Sequence, residues 1–489
     1  MLWALTLVTI TESDDTGPRH QSVTIETLPD DVVLAIFNSY LDSFYNRSWW
    51  RMLIHVCQRW RYLVFASPGH LNLRLQCTIK TRVREMLDVW PAFPIFITDY
   101  SESMEGVDNI IAALERRDRV DEIMLVGIPG SKMHTFLPSM LGPFPALQGI
   151  HFAPSYRPYR DDSAMVVVPK SFLGGSAPQL QCLVFHGISF PALPTLLYST
   201  TNLVDLRLTG IPRSGYIPPD VMATCLSAMP RLSSLDFLFD SPKSFPNGES
   251  RHHPPLTRST LPALRELIFQ GIYKYFEDLA ARIDTPVILN LDVVFFPGHQ
   301  PFYDFSQLSQ FIGRIEAFKS PAHAVARLFY PGTEVSICRR TKTNELALLW
   351  VRCEDDELPL QLRRLVQIFS SSLPFSEAES LSIFGGFEFG RTQLEATAED
   401  LLWLDLFRSF SAVKNLYIDE KILMPVAYTL KKVVKERITD VFPVIQELSI
   451  RRDLPSGPVL RAVEEFATAR GLLTRLDRPH PLGGWLTYV

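Results

Sequence analysis

No stretch of this chain approaches about 18 consecutive apolar residues, so a membrane-spanning helix is not expected. The apolar opening MLWALTLVTI lacks a basic start and runs straight into TESDDTG, so it does not read as a secretory signal. Cysteine is sparse: the six lie at 57, 77, 182, 225, 338 and 353, with no CxxC pair. That excludes a disulfide scaffold and the usual zinc spacings. All six read as reduced thiols, small buried hydrophobes in a cytoplasmic or nuclear protein.

A basic excess is also missing. The net charge is −5, which argues against a dedicated nucleic-acid partner. The run from Leu430 to Arg437, with three lysines and an arginine among valines, reads as the solvated face of a helix. No HExxH, GxSxG or GxxxxGK sequence occurs. His252-His253 sits among prolines, and the acids of Cys353-Glu-Asp-Asp-Glu357 are contiguous, unlike the alternating ligands of a calcium loop. Both read as exposed turns. The expectation is a protein that is not an enzyme, with no catalytic, cofactor-binding or metal residues, no cofactor and no membrane partner.

What the chain does contain is an ordinary globular balance, 46% hydrophobic and 21% charged over 489 residues, enough for more than one domain. From about residue 120 a phrase recurs: a proline-led turn, an apolar residue, two variable residues, then two apolar residues flanking one more. Copies are Pro145-Ala-Leu147-Gln-Gly-Ile150-His-Phe152, Pro178-Gln-Leu180-Gln-Cys-Leu183-Val-Phe185 and Asn202-Leu203-Val-Asp-Leu206-Arg-Leu208. Pro230-Arg-Leu232-Ser-Ser-Leu235-Asp-Phe237, Pro262-Ala-Leu264-Arg-Glu-Leu267-Ile-Phe269, Val413-Lys-Asn-Leu416-Tyr-Ile418 and Pro443-Val-Ile445-Gln-Glu-Leu448-Ser-Ile450 follow. The steps between the first five are 33, 23, 29 and 32 residues, and the last two lie 32 apart. This is an irregular leucine-rich repeat period.

The alternating end of each phrase predicts a short strand with two inward side chains. One copy cannot bury its own apolar face, whereas stacked copies form a continuous core. Helical halves are expected between strands: Val221, Cys225, Leu226 and Met229 on one face, and Leu401, Leu402, Leu406 and Phe410 on another. Between 290 and 380 the phrase weakens, with degenerate copies at Thr285–Leu291 and Glu379–Ile383. Segment 241–260 is polar and proline-rich and predicts an exposed loop.

The N-terminal part has a different pattern. Leu28-Pro-Asp-Asp-Val-Val-Leu-Ala-Ile-Phe37 opens a helix. Thr27 and Asp30 read as a capping pair, Pro29 suits a first turn, and Asp30 and Asp31 suit the positive end of the helix dipole. A second helix is expected from Ser48, with Trp49, Leu53, Val56 and Trp60 on one face and Ile54, Cys57 and Tyr62 beside them. Two adjoining apolar faces exceed what two short helices can bury internally, so a partner surface is expected.

LPDDVVLAIF followed by HVCQRWRYLVFASP resembles an F-box, whose pattern is Leu-Pro, an apolar helix, then Val-Cys-x-x-Trp. The downstream HLNLRLQCTIKTRVREMLDVWPAFPIFI resembles the expanded F-box families of mushroom-forming fungi, so the likeness covers roughly residues 25 to 100. One departure is the 20-residue separation of Phe37 and Cys57, several residues longer than in compact members. The resemblance implies a three-helix F-box that docks on a Skp-type adaptor of a cullin-RING ubiquitin ligase core. By carry-over, Leu28, Pro29, Ile36, Phe37, Val56, Cys57 and Trp60 are the adaptor-binding and core positions.

The expected fold is therefore α/β: a three-helix F-box, then an irregular leucine-rich repeat solenoid with parallel strands inside and helices outside. The expected boundaries are a flexible segment at 1–24, the F-box at 25–67, and a linker with a first atypical unit at 68–119. The solenoid takes 120–489. The expected function is recruitment of an unknown protein substrate to the ligase. The alternative is a repeat scaffold uncoupled from ubiquitylation.

Overall fold

A computed structural model describes residues 25–42, 50–155, 166–246, 257–297, 303–319, 323–329, 332–340, 346–354, 358–370, 377–385, 398–451 and 458–476. The lead-in at 1–24, His252-His253, most of the acidic turn at 353–357 and the closing HPLGGWLTYV lie outside these residues. So does 43–49, which holds Ser48, Trp49 and most of the lengthened inter-helix segment. The chain divides into two compact units, Met1–Gln76 with Trp90–Pro94, and Cys77–Val89 with Ile95–Val489.

In the first unit a 3-10 turn at Ile25–Thr27 precedes helix α1, Asp30–Asp42. The helix starts later than the sequence suggested. Pro29 precedes it and its carbonyl accepts from the Val33 N–H at 3.1 Å, while Thr27 ends the 3-10 turn. The single second helix expected from Ser48 is instead two, α2 at Trp50–Leu53 and α3 at Gln58–Ala66. Between them Cys57 is extended and its Sγ accepts from the Trp60 N–H. The Arg61 Nε donates to the Ile54 carbonyl at 3.0 Å, which closes the turn. A shared face running from Leu53 through Val56 to Trp60 therefore does not exist. Val33, Phe37, Trp50, Leu53, Leu63 and Val64 are buried. Trp50 is held edge-on by Trp90 and Phe93, with its indole N–H on the Arg74 carbonyl at 3.1 Å.

The second unit is a stack of strands joined through helices and loops. The phrases form the strands Gly149–Pro154, Cys182–His186, Asp205–Ile211, Ser234–Phe239, Glu266–Gly271, Asn415–Asp419 and Glu447–Arg451. Each phrase proline occupies the second position of a β-turn. The N–H of Leu147, Leu180, Leu232, Leu264 and Ile445 returns to the carbonyl three residues back, and proline presets that turn angle. A second chain of bonds ties each turn to the previous one: Gln148 to Asp121, Gln181 to Gln148, Val204 to Gln181, Ser233 to Val204 and Arg265 to Ser233. Consecutive phrases are thus locked in register before their strands begin.

The register follows. Ile97, Ile123, Ile150, Leu183, Leu206, Leu235, Leu267, Leu291 and Leu349 form one parallel row. Leu381, Leu416 and Leu448 form a second parallel stretch of it, and every residue of both stretches is buried. Stacked rings reinforce the core: Phe152 lies on Phe185, and Phe237 and Phe269 flank Tyr275, whose hydroxyl donates to the Ile217 carbonyl at 2.8 Å.

Between residues 290 and 385 the expectation of parallel strands fails in part. The degenerate copies are strands, Asn290–Phe295 and Ser380–Gly385, but they are not neighbours. Three strands separate them, the outer two parallel to the repeat strands and the middle one antiparallel. Leu346–Cys353 pairs with Asn290–Phe295 and with Gly332–Arg340, which pairs with His323–Phe329, which meets Ser380–Gly385. The inner row passes through them unbroken as Leu349, Ile337, Ala324 and Leu381. The insertion fits because its alternation is that of the repeats; only the turn chemistry differs.

The helical faces also differ in detail. In Pro219–Ser227 the buried set is Pro219, Met222, Ala223, Cys225 and Leu226, with Val221 half-buried. In Ala398–Arg408 Leu401 is exposed, and Trp403, Leu406 and Phe407 take the inner face. The 241–260 loop is not wholly exposed. Phe245 packs at 4.3 Å on Phe239, and Ser259–Thr260 pairs with Ile283–Asp284. One buried charge pair stands out: Lys132, 0% exposed, sits 2.5 Å from Asp99 and donates to the Ser101 carbonyl at 2.9 Å. The Asp99 contact is an ion pair without hydrogen-bond alignment.

Candidate docking surfaces

In the helical unit the seven candidate residues divide in two. Phe37 is buried and Trp60 half-buried, and their rings meet edge-on at 4.7 Å. They hold α1 against α3. Leu28 is half-buried at the turn leading into α1, with Pro29 exposed beside it. Ile36 and Val56 are 42% and 60% exposed, and Cys57 is exposed with its sulfur used as the α3 cap. The structure thus gives Phe37, Trp60 and Cys57 internal roles and leaves Pro29, Ile36 and Val56 at the surface.

The surface set extends beyond the candidates. Val32 lies one turn before Ile36, Met52 is on α2 and Tyr62 on α3, all exposed. Because 3.6 residues make a turn, Val32 and Ile36 form a stripe beside the buried stripe of Val33 and Phe37. Helix α1 therefore has two apolar stripes and uses one internally.

Arg59 was not legible as a functional position. Its guanidinium reaches the start of α1, with Nη1 on the Glu26 carbonyl at 2.7 Å and Nη2 on the Leu28 carbonyl at 2.5 Å. It also pairs with Asp30 Oδ1 at 2.6 Å. A planar donor fork serves two carbonyls and a carboxylate at once, which lysine cannot do. It fixes the Leu-Pro turn against α3. The sequence signal was Asp30 at the helix start and an arginine beside the Cys-x-x-Trp tryptophan, a pair 29 residues apart with no local relation.

In the repeat unit the outward side chains of the strands form a second surface. From Asp205–Ile211 to Leu346–Cys353 the register row beside the buried one reads Arg207, Asp236, Ile268, Asp292, Trp350. Arg207 bonds Asp205 at 3.0 Å but approaches Asp236 only to 3.8 Å. Glu266 accepts from Ser234 and Asn290. Arg352 bonds Asp292 at 2.7 Å, lies 3.4 Å from Glu334, and stacks 5.2 Å over Trp350. Arg327 also pairs with Glu334. Burial pushes the Asp236 carboxyl up to about 6 against the pull of Arg207, and Asp292 likewise to about 6 against Arg352. Burial lowers His151 on the same face, with Arg207 adding to the effect. Among the described residues no group of three or more histidines, cysteines or acids could hold a metal. No described helix is long and apolar enough to cross a membrane.

No family model matches the sequence, and no curated protein matches it. Among solved structures it is similar to the leucine-rich repeat-containing protein LegL7 from Legionella pneumophila. The identity is 11%, over 81% of this chain and 98% of that one, with a TM-score of 0.25. The periodic phrases, the buried rows in register and the intervening helices make the second unit a leucine-rich-repeat-like stack, an architecture suited to binding other proteins.

Proposed function

We propose that this protein is the substrate-recruiting subunit of a cullin-RING ubiquitin ligase of the SCF type. The helices α1 to α3 act as an F-box that docks on a Skp-type adaptor, and the repeat unit holds the protein to be ubiquitylated. The observation that carries this reading is the exposed second stripe. Val32 and Ile36 on α1, Tyr62 on α3 and Val56 in the turn before α3 remain 39–71% exposed, while Phe37 and Trp60 are already engaged with each other. An amphipathic helix presenting aliphatic and aromatic anchors is a common mode of docking into a partner groove. The Leu-Pro turn and the Val-Cys-x-x-Trp motif name the partner class.

On this reading the protein does no chemistry. It raises the effective concentration of a substrate lysine near a charged ubiquitin-conjugating enzyme. The test is co-purification with a Skp-type adaptor. Pro29→Ala combined with Ile36→Asp is expected to abolish it while the circular dichroism spectrum stays that of wild type. Adaptor binding that survives the double substitution overturns the docking face. A second reading, a repeat scaffold uncoupled from ubiquitylation, is favoured by the 20-residue separation of Phe37 and Cys57. It predicts stable partners with no adaptor in the complex.

A further inference from the structure

The charges of the helical unit are segregated along the chain. Among its described residues the acids are Glu26, Asp30, Asp31 and Asp42, all on the 3-10 turn or α1. From Trp50 to Gln76 there is no acid, and Arg51, Arg59, Arg61 and Arg74 are accompanied by His55 and His70. In the full sequence the acid-free stretch runs from 43 to 84 and carries eight lysines and arginines, in a chain whose net charge is −5.

Three of the four arginines make contacts within the unit. Arg59 holds the start of α1, Arg51 lies over the Trp50 and Trp90 rings, and Arg74 Nε donates to Asn72 Oδ1 at 3.4 Å. Arg61 is different. Its Nε donates to the Ile54 carbonyl at 3.0 Å, and among the described residues neither Nη has a partner. Arg61 is exposed, as are Val56 and Cys57 in the turn it closes and Tyr62 beside it. The Nε bond draws the guanidinium back over the α2–α3 turn, with its open edge to solvent. One anchored nitrogen and two open ones leave an end-on fork, a geometry that takes a carboxylate through two parallel bonds. A side chain anchored in this way has less freedom left to lose when a partner arrives.

We infer that the protein covering this face is acidic there, setting a carboxylate on Arg61 between apolar contacts to Val56 and Tyr62. This rests on the reading of the helical unit as a docking module and names the chemistry of its partner. A nucleic acid would meet the cations but leave Val32, Ile36 and Val56 in water. A protein carboxylate flanked by apolar side chains meets both. A face of one sign also speeds encounter with a partner of the other and selects its orientation.

The experiment is the kinetics of full-length protein binding to an immobilised Skp-type adaptor, at about 0.05 and about 0.5 M salt, low and strong screening respectively. Wild type is expected to associate faster at low salt. Arg61→Gln keeps a side-chain donor and loses the charge. It should weaken affinity by about tenfold or more and flatten the salt dependence of association. Arg61→Lys keeps the charge without the fork, so it should retain the salt dependence and recover only part of the affinity. Lys435→Gln, the same charge change at an exposed lysine of the repeat unit, should alter neither. A merely structural role for the Nε bond to Ile54 would lower affinity without flattening the salt dependence. The inference is overturned if Arg61→Gln keeps either the affinity or the salt dependence of wild type, or if Lys435→Gln loses as much. Duplex DNA bound as tightly as the adaptor, and lost in Arg61→Gln, would assign the cations to nucleic acid and overturn it too. Wild type that binds no adaptor at either salt sinks the docking reading and this inference with it. Adaptor binding that Arg61→Gln leaves unaltered sinks this inference alone.

Discussion

The helical unit and the repeat unit are built from the same kinds of side chain and treat them differently. In the repeat stack each phrase supplies two inward side chains, and these are at most 4% exposed at Leu183, Phe185, Leu206, Leu208, Leu235, Phe237, Leu267 and Phe269. In the helical unit Val33 and Phe37 are sealed, but Val32 and Ile36, one residue earlier at each turn, stay 39% and 42% exposed. The repeat unit satisfies its apolar surface by adding copies. The helical unit has no further copy to add. The strand rows of the repeat unit are sealed, whereas the Val32 and Ile36 stripe of α1 lies open beside its sealed one, and apolar side chains left open one turn apart are what a docking face requires.

That contrast can be broken at several points, beginning with the repeat stack, where a lysine and an aspartate are sealed in the interior. Lys132→Ala strands the Asp99 carboxylate in the interior and is expected to cost about 3–5 kcal/mol in urea unfolding. A cost near zero would mean Asp99 takes up a proton or water cheaply.

The next effect concerns Glu277, whose carboxylate accepts from the N–H groups of Gln307 and Leu308 at 2.8 and 3.0 Å. Burial raises it to about 7 although those N–H groups oppose the shift. A raised acid holds its proton longer when folded, so its contribution is complete below about 4.5 and is lost as pH rises to about 7. Glu277→Gln keeps an acceptor without the charge. Its stability relative to wild type should therefore improve across that window, by on the order of 3 kcal/mol. A difference that is flat with pH contradicts the assignment.

Arg59→Ala comes third. Its partners lie at a partly exposed site, with side-chain exposures of 34% for Arg59 and 59% for Asp30, so the expected loss is about 1 kcal/mol. Adaptor binding should weaken because the Leu-Pro turn is released, and Arg59→Lys should restore little of it. Smallest are Ile36→Ala and Val56→Ala, which should change stability by no more than about 0.5 kcal/mol while weakening adaptor binding. A large stability loss there would mean the stripe is already covered within the chain.

The repeat stack was largely legible because its signal is periodic and local. A proline sets the turn, and the next alternating residues must point inward, so Leu183 and Phe185 could be placed without knowing any neighbour. The antiparallel insertion was not legible for the converse reason. Ala324, Ile337 and Leu349 fill the inner row as well as any phrase leucine does, but nothing in the residues between them says which strand pairs with which. At 401–407 helix periodicity permitted either Leu401 or Trp403 inside, and the larger Trp403 side chain is the buried one. In the helical unit Leu-Pro, Phe37 and Trp60 were visible as a motif. The break at Cys57 was hidden because one continuous helix also put Leu53, Val56 and Trp60 on a common face. Arg59 was hidden because its role is a contact across 29 to 33 residues with one carboxylate and two backbone carbonyls.

Amide hydrogen exchange of the full-length protein, with and without a Skp-type adaptor, tests the central claim most directly. Slowed exchange confined to segments carrying Val32, Ile36, Val56 and Tyr62, with the repeat strands unchanged, is the expected result. Unchanged exchange in those segments at saturating adaptor would contradict it.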